Sequence, residues 1–194
     1  MIYDEVKYWN SRKNPNSASE KSTKKHISFI RKYIQDNKYI LDFGPGVGRT
    51  FSAYENLNVK VEGYDISNKY AKQVMLKSKS LNMDFNLTIG NEIKDLPYED
   101  NTFDCSVAIS VLIHQKPNHI ISVMKELVRV SKRVIVVSWY EPVRSFANLN
   151  KIVNSNEYCF NYDYPDICKS NKWHIIHKHI EDKQIFFVYE SRDK

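Results

Sequence analysis

The chain has 194 residues, a length that suits one domain with a sizeable hydrophobic core. It has no apolar run of 18 residues and no N-terminal signal segment, so we expect a cytoplasmic protein with no membrane partner. Its three cysteines, Cys105, Cys159 and Cys168, lack metal-ligand spacing, and we expect no metal site. The net charge of +6 permits an acidic partner, but the basic residues are scattered or lie on predicted helices, where a solvated face explains them.

Apolar runs alternate with helical periodicity along the chain, which predicts an α/β fold with a mostly parallel sheet. A capping box at 17–20 predicts the start of a helix that extends to about Asn37. Strands are predicted near 39–43, 59–64, 85–89, 104–110 and 133–139. Further helices are predicted near 48–56, 67–81 and 117–130. Two late apolar runs, at 173–180 and 184–189, are separated by three residues and predict an antiparallel hairpin.

The most informative segment is I-L-D-F-G-P-G-V-G-R-T at 40–50, which reads as a buried strand, a glycine-rich turn and the first turn of a helix. Glycines let the backbone turn tightly and approach a ligand closely. Asp65 follows Gly44 by 21 residues, at the end of a second strand-like run, where an acid can accept hydrogen bonds from ribose hydroxyls. The pattern predicts an adenosine-type cofactor; the alternative is a tight strand–helix turn in another kind of α/β protein.

The spacing of the glycines distinguishes between cofactors. A dinucleotide fold uses G-x-G-x-x-G, in which the third small residue lets a helix pack closely on a strand. This chain has the bulky cation Arg49 at that position. In addition, Asp42 precedes the glycines, and a carboxylate there suits an ammonium group but repels a pyrophosphate. These residues favour a sulfonium cofactor with an amino-acid tail over a nicotinamide dinucleotide.

The same segment resembles motif I of the class I S-adenosylmethionine (SAM)-dependent methyltransferases. Four later segments are similar to that family in order and spacing: G-N-E-I-K-D-L-P-Y at 90–98, N-T-F-D-C-S-V at 101–107, S-V-L-I-H at 110–114 and L-V-R-V-S-K-R at 127–133. The resemblance spans about 38–140 and is closest to the broad small-molecule branch, of methyltransferase type 11. It implies one domain with a Rossmann-like, doubly wound, seven-stranded and mostly parallel sheet, a C-terminal antiparallel hairpin and helices on both faces.

The resemblance also implies SAM as the cofactor and S-adenosylhomocysteine (SAH) as its product. The family usually has Asp where this chain has Asn91, whose carbonyl can accept the same bond from adenine. Tyr8 and Arg12 are expected beside the SAM carboxylate, although a surface helix would also explain them. The residues expected around the cofactor are Tyr8, Arg12, Asp42, Gly44, Pro45, Gly46, Gly48, Arg49, Thr50, Asp65, Ile66, Asn91, Glu92, Ile93, Ile109 and Ser110.

Candidates for acceptor chemistry follow the fourth and fifth strands. His114 is the best candidate for a catalytic base, because its side chain titrates near neutral pH, and Tyr140 and Glu141 are second. The alternative for all three is loop structure. Residues 1–37 are expected to cover the cofactor site. The aromatic stretch 141–172 is expected to be a lid or substrate wall, or else a helix packed on the sheet.

The resemblance also narrows the reaction class. The loop after the fourth strand lacks the proline motif of amine-methylating DNA enzymes, the Pro-Cys pair of C5-pyrimidine enzymes and the magnesium-binding Asp of catechol enzymes. We therefore expect metal-free methyl transfer to oxygen or nitrogen of a small molecule. One alternative is an RNA or protein methyltransferase, which the positive net charge supports. The other is a non-catalytic SAM-binding subunit. Both a monomer and a homodimer fit the sequence.

Overall fold

The computed structural model describes residues 4–13, 18–90, 93–141, 152–154 and 159–191. Seven strands form one sheet in the order β3-β2-β1-β4-β5-β9-β8. The first five strands are parallel, and β9 and β8 are antiparallel additions at one edge. These strands are β1 Tyr39–Phe43, β2 Lys60–Asp65, β3 Asp84–Ile89, β4 Cys105–Ile109, β5 Val134–Trp139, β8 His174–Glu181 and β9 Gln184–Glu190. The predicted fold class and the C-terminal hairpin are confirmed.

Helices cover both faces of the sheet. They are α1 Glu5–Ser11, α2 Glu20–Ile34, α3 Ala71–Ser80, α4 Ile120–Val130 and α5 Tyr164–Ser170. Within the described residues, no helix is both long and apolar enough to cross a bilayer. A capping serine does start α2, but it is Ser19, whose side chain accepts a hydrogen bond from the backbone N–H of Ser22. The predicted capping box began two residues earlier, at a position outside the described residues, and α2 ends three residues before Asn37.

The central strands are buried on both faces, which explains their continuous apolar sequence. Leu41 and Phe43 of β1 face α4 and α5, whereas Ile40 faces α2. In β4 and β5 every residue except Trp139 is buried. The carboxyl ends of β1 and β4, which are neighbours in space, therefore stand on a rigid base. Because the connections from these two strands run to opposite sides, a crevice opens between them, where ligands bind in open α/β sheets.

The helix predicted at 48–56 is absent. The segment forms turns with one short 3₁₀ helix, Phe51–Ala53. Gly48 and Asn56 flank it with φ angles of +71° and +62°, which an α-helix cannot contain. Phe51 and Tyr54 both enter the core, and their spacing of three residues matches a 3₁₀ turn.

The region 141–172 is only partly described. It contains the short strands β6, Ile152–Asn154, and β7, Cys159–Phe160, which pair with each other, followed by α5. The aromatic side chains of Phe160, Tyr162 and Tyr164 are buried in the core on the α4 side of the sheet. This part of the region packs against the sheet, as the helical alternative predicted. The remaining residues of the stretch, Phe146 and Tyr158 among them, lie outside the described residues.

Candidate active site

A cavity opens at the carboxyl ends of β1, β2 and β4. Its empty space, counted together with the open mouth, is about 1120 Å³. Thirteen of the residues predicted for the site line it: Arg12, Asp42, Gly44, Pro45, Gly46, Arg49, Thr50, Asp65, Ile66, Ile93, Ile109, Ser110 and His114. Segments far apart in the chain therefore converge on one chamber.

The glycine-rich turn forms the floor of the cavity. Gly44 has a φ of +72°, and a Cβ on it would lie 2.7 Å from a methyl carbon of Val111, so no larger residue fits without movement. Gly46 also has a positive φ, but a Cβ there would meet no atom within 4 Å. The backbone at Gly46 is thus open to the cavity, as close approach of a ligand requires. Gly48 does not line the cavity and lies against the ring of Phe51.

Asp42 provides a buried carboxylate at the end of β1. It is 3% exposed and accepts a hydrogen bond of 2.9 Å from the Tyr54 hydroxyl. Burial raises its pKa to about 7; the Tyr54 bond and Arg49 lower it, and the charge of Asp65 raises it. The hydrogen-bond donor to Asp42 is thus a neutral hydroxyl, and Arg49 acts on the carboxylate through its charge alone. The ammonium group of an amino-acid ligand would supply a charged donor.

Asp65 ends β2 and reaches the same cavity. Its Oδ2 accepts a 3.2 Å bond from the N–H of Gly46, and its Oδ1 accepts a 2.9 Å bond from the N–H of Ser67. Burial raises its pKa, and these backbone bonds lower it. A carboxylate offers about four lone-pair sites, so Asp65 keeps some acceptor capacity for a ligand hydroxyl. This geometry suits the ribose role that the sequence predicted.

Arg49 occupies the place of the third glycine, and side chains of α2 hold it in position. Its guanidinium donates to Nδ1 of His26 at 2.8 Å and to the hydroxyl of Thr23 at 3.4 Å. Burial lowers the pKa of His26 to about 4, so this imidazole is neutral at pH 7 and can accept the bond. Its other nitrogen lies 3.1 Å from the side-chain oxygen of Gln184. Arg49 thereby connects the cofactor loop to α2 and β9.

Helix α1 forms a roof over the cavity. On the β2 side, the Ser67 hydroxyl donates to the side chain of Asn10 at 2.9 Å, and the carbonyl of Arg12 accepts from Lys69 at 2.6 Å and from the Tyr70 hydroxyl. The guanidinium of Arg12 lines the cavity. Tyr8 lies outside the lining and supports Arg12 from behind, because its hydroxyl accepts a hydrogen bond from that guanidinium.

The other end of the roof is attached to the segment that follows β4. The ring of Trp9 meets the ring of His114 edge-on at 4.8 Å. Glu5 lies 3.3 Å from the Lys116 ammonium and 3.5 Å from Nδ1 of His119. Helix α1 therefore contacts both sides of the crevice.

His114 stands on the acceptor side of the cavity. It ends the 3₁₀ helix Leu112–His114, and its Nδ1 lies 3.7 Å from the thiol of Cys159 on β7. Ser110, just after β4, has a φ of +59°, a rare angle for a residue other than glycine, and such strain is often found at functional sites. The loop from Ser110 to His114 thus has a defined backbone conformation that places the His114 imidazole in the wall of the chamber.

Four of the predicted residues that the structure describes do not line the cavity, namely Tyr8, Gly48, Tyr140 and Glu141, and two more lie outside the described residues. Tyr140 is buried beside Lys183, whose carbonyl accepts from its N–H, and Glu141 is exposed with its backbone paired to Asn161. Neither is among the lining residues. Asn91 and Glu92 lie outside the described residues. Sequence reasoning missed the lining residues Trp9, Ser67, Tyr70, Val111 and Gln115. Only Trp9 had a sequence signal, as part of the aromatic run before Arg12.

Known proteins support the assignment of this fold. Residues 41–134 match the family model described as a methyltransferase domain. The PH0226 protein from Pyrococcus horikoshii has a similar structure, with a TM-score of 0.72 and 19% identity, over 96% of this chain and 99% of that one. Magnesium protoporphyrin IX methyltransferase from Synechocystis, solved with bound SAH, is similar with a TM-score of 0.72 and 15% identity, over 96% of this chain and 97% of that one. No curated protein sequence matches the chain.

A third structure is the complex between the Haloferax volcanii Trm112 methyltransferase activator and a methyltransferase. It is similar to this chain with a TM-score of 0.68 and 13% identity, over 98% of this chain and 99% of that one. At such identities these structures show the fold, and the family model adds the domain type. Strand order, the glycine loop of β1, the acid that ends β2 and the matched domain agree with one another. Residues 41–134 form a methyltransferase domain, and the chain has the fold of the class I SAM-dependent methyltransferases, with SAM as its methyl donor.

Proposed function

We propose that the enzyme transfers a methyl group from SAM to an oxygen or nitrogen atom of a small-molecule acceptor, without a metal ion. The observation that carries this proposal is the roofed chamber, in which the lining runs from Asp65 to His114 beneath α1. A chamber covered by a helix attached on both sides suits a small acceptor better than a polymer. The described residues hold no group of three or more His, Cys, Asp or Glu side chains able to bind a metal.

The lining residues divide into parts with different tasks. Asp42 faces the ammonium group of SAM, the open backbone at Gly46 lies along its amino-acid tail, and Asp65 accepts from its ribose. Ile66 and Ile93 supply apolar surface for the adenine. When bound, SAM supplies a methyl group that its positively charged sulfur activates. The protein then has to position the acceptor and exclude water.

His114 is proposed to remove a proton from an acceptor O–H or N–H as that atom attacks the methyl carbon. Its ring lines the chamber on the acceptor side. Trp9 packs against it edge-on, which fixes the imidazole and keeps water from that side. Cys159 contacts its Nδ1 and so restrains ring rotation.

The first experiment is calorimetric titration of the purified protein with SAM, SAH and NAD. We expect micromolar binding of SAM and SAH and none of NAD. A screen with SAM carrying a labelled methyl group follows, with separate small-molecule, RNA and protein fractions as acceptors. Label that enters only the small-molecule fraction supports the proposal.

One alternative has an observation in its favour: the net charge of +6 would attract an acidic polymer. Label in the RNA or protein fraction would therefore replace the small-molecule proposal with that alternative. SAM binding without label in any fraction would point to a SAM-binding subunit that needs a partner, as in the Haloferax volcanii complex with an activator.

A further inference from the structure

Two histidines on the edge strand β8 form a compact pair of metal-ligating side chains away from the cavity. Nε2 of His177 lies 2.9 Å from Nδ1 of His179, and the ring centroids are 5.2 Å apart. Residues two apart in a strand share one face of the sheet. Among the described strands β8 is the last of its sheet, so this pair lies at the rim of the molecule.

The two nitrogens share a hydrogen bond, so one of them carries the proton and the other accepts it. An ion that bound both imidazoles would take the place of this proton, which would move to the other nitrogen of the donor ring, and each ligating nitrogen would lie about 2.0–2.1 Å from the ion. Imidazole suits Cu²⁺ and Ni²⁺, and affinity rises from Ni²⁺ to Cu²⁺.

Packing from α2 and β9 holds both rings in place. His177 lies against Phe29 and Tyr33, with centroid distances of 5.6 and 5.5 Å. The ring of His179 stacks on Phe186 at 4.6 Å with an angle of 11° between the planes. Ligands that are already in position lose little conformational entropy on binding. His179 is exposed, so an ion can reach its ring from solvent.

We propose that His177 and His179 form a two-imidazole binding site for a divalent transition-metal ion, with water in its other positions. Neither residue lines the cavity, so the site is independent of the proposed methyl transfer. Lys32 on α2 is the charged group whose electrostatic effect reaches His177. Its positive charge opposes a cation and is expected to weaken binding.

The test is calorimetric titration of untagged protein with Cu²⁺, Ni²⁺ and Mg²⁺ in a non-chelating buffer. We expect one Cu²⁺ or Ni²⁺ per chain, tighter binding of Cu²⁺, and no binding of Mg²⁺. His177→Ala and His179→Ala should each weaken Ni²⁺ binding at least tenfold, because the second imidazole binds at high effective concentration. Lys32→Gln should tighten it.

The matched control is His174→Ala, an exposed histidine of the same strand that pairs with Glu190. It should leave Ni²⁺ affinity unchanged. The proposal is overturned if His174→Ala weakens binding as much as the other two changes, if a single histidine of the pair suffices, or if Ni²⁺ does not bind. Thermal unfolding and SAH titration of each variant establish that the fold and the cofactor site are intact, which separates this result from the outcome of the methyl-transfer tests.

Discussion

The carboxylate of Asp42 and the hydroxyl of Tyr54 are hydrogen-bonded at 2.9 Å, and both side chains are buried. Without a ligand this pair is a cost to the fold, because burial disfavours the negative charge of Asp42 more than the Tyr54 hydrogen bond and the charge of Arg49 support it. The raised pKa of Asp42, about 7, expresses that cost. Such an arrangement makes sense for a residue that binds a cation.

Asp42→Asn should therefore stabilise the free protein at pH 8. The folded pKa of Asp42 lies above its unfolded value, so its contribution to stability is full below about pH 4 and is lost as the pH rises to about 7. The neutral amide avoids that loss, so the free energy of unfolding of the variant should be higher by up to about 4 kcal/mol, for a shift of about three pKa units. Urea unfolding at pH 4 and pH 8 checks this: the gain of the variant over wild type should be larger at pH 8. A gain of equal size at both values would contradict it.

The same carboxylate should make SAM affinity depend on pH. Ionised Asp42 attracts the ammonium group of SAM and protonated Asp42 does not, so SAM affinity should rise between pH 6 and 8. Calorimetry with SAH, which keeps the ammonium group, measures the effect without turnover. Asp42→Asn should bind SAH more weakly and lose this pH dependence. A variant with the wild-type pH profile would remove Asp42 from the site.

Asp65→Ala should weaken SAM binding by about 1–3 kcal/mol, because buried ribose hydroxyls would lose their acceptor. Asp84→Ala is the control, since Asp84 is an exposed aspartate at the start of the neighbouring strand β3. Calorimetric titration of both variants with SAM gives the comparison. Unchanged SAM affinity in a folded Asp65→Ala protein would refute the ribose assignment.

His114→Ala should reduce the rate of methyl transfer by about 10²–10⁴-fold if the imidazole acts as a base. SAM affinity should change little, because the Gly44–Gly48 loop and Asp65 lie on the other side of the cavity. Single-turnover transfer of labelled methyl to the acceptor found in the screen measures the first effect, and calorimetry the second. If the rate of methyl transfer and the affinity for SAM fell by the same small factor, His114 would only stabilise the loop and would not act as a base.

Glu5→Gln should loosen the roof that α1 forms. It removes the charge that faces Lys116 and His119, worth about 0.5–1 kcal/mol for a partly exposed pair, so SAH should dissociate about two- to fivefold faster. Stopped-flow fluorescence of Trp9 follows release, since its ring lines the cavity. Lys7→Gln, on the exposed face of α1, is the control and should release SAH at the wild-type rate.

The seven strands of the main sheet could be predicted to within about a residue, and β1 has the predicted bounds, whereas the short strands β6 and β7 were not predicted. The central strands β1, β4 and β5 are visible as apolar runs because both of their faces are buried. Asp42 and Asp65 could be picked out because each lies at the carboxyl end of a predicted strand, and parallel strands bring these ends together. The position of each acid in the topology, and not its residue type alone, marked it as a candidate.

Contacts between distant segments could not be predicted. The lining roles of Ser67 and Tyr70 depend on hydrogen bonds to α1, more than 50 residues earlier in the chain. The 3₁₀ turn at Phe51–Ala53 replaced a predicted helix because two aromatic side chains three residues apart both enter the core, which local propensity does not reveal. Gln115, after His114, has no pattern that marks it as lining a cavity.

Arg49 is possible only because that helix is missing: a regular helix packed on β1 would demand a small residue at its place. The guanidinium of Arg49 in turn hydrogen-bonds to the buried imidazole of His26, whose other nitrogen lies beside the side-chain oxygen of Gln184. These three positions should therefore change together over evolutionary time. A relative with a small residue at 49 is expected to have a full helix after the glycine loop and an apolar residue in place of His26.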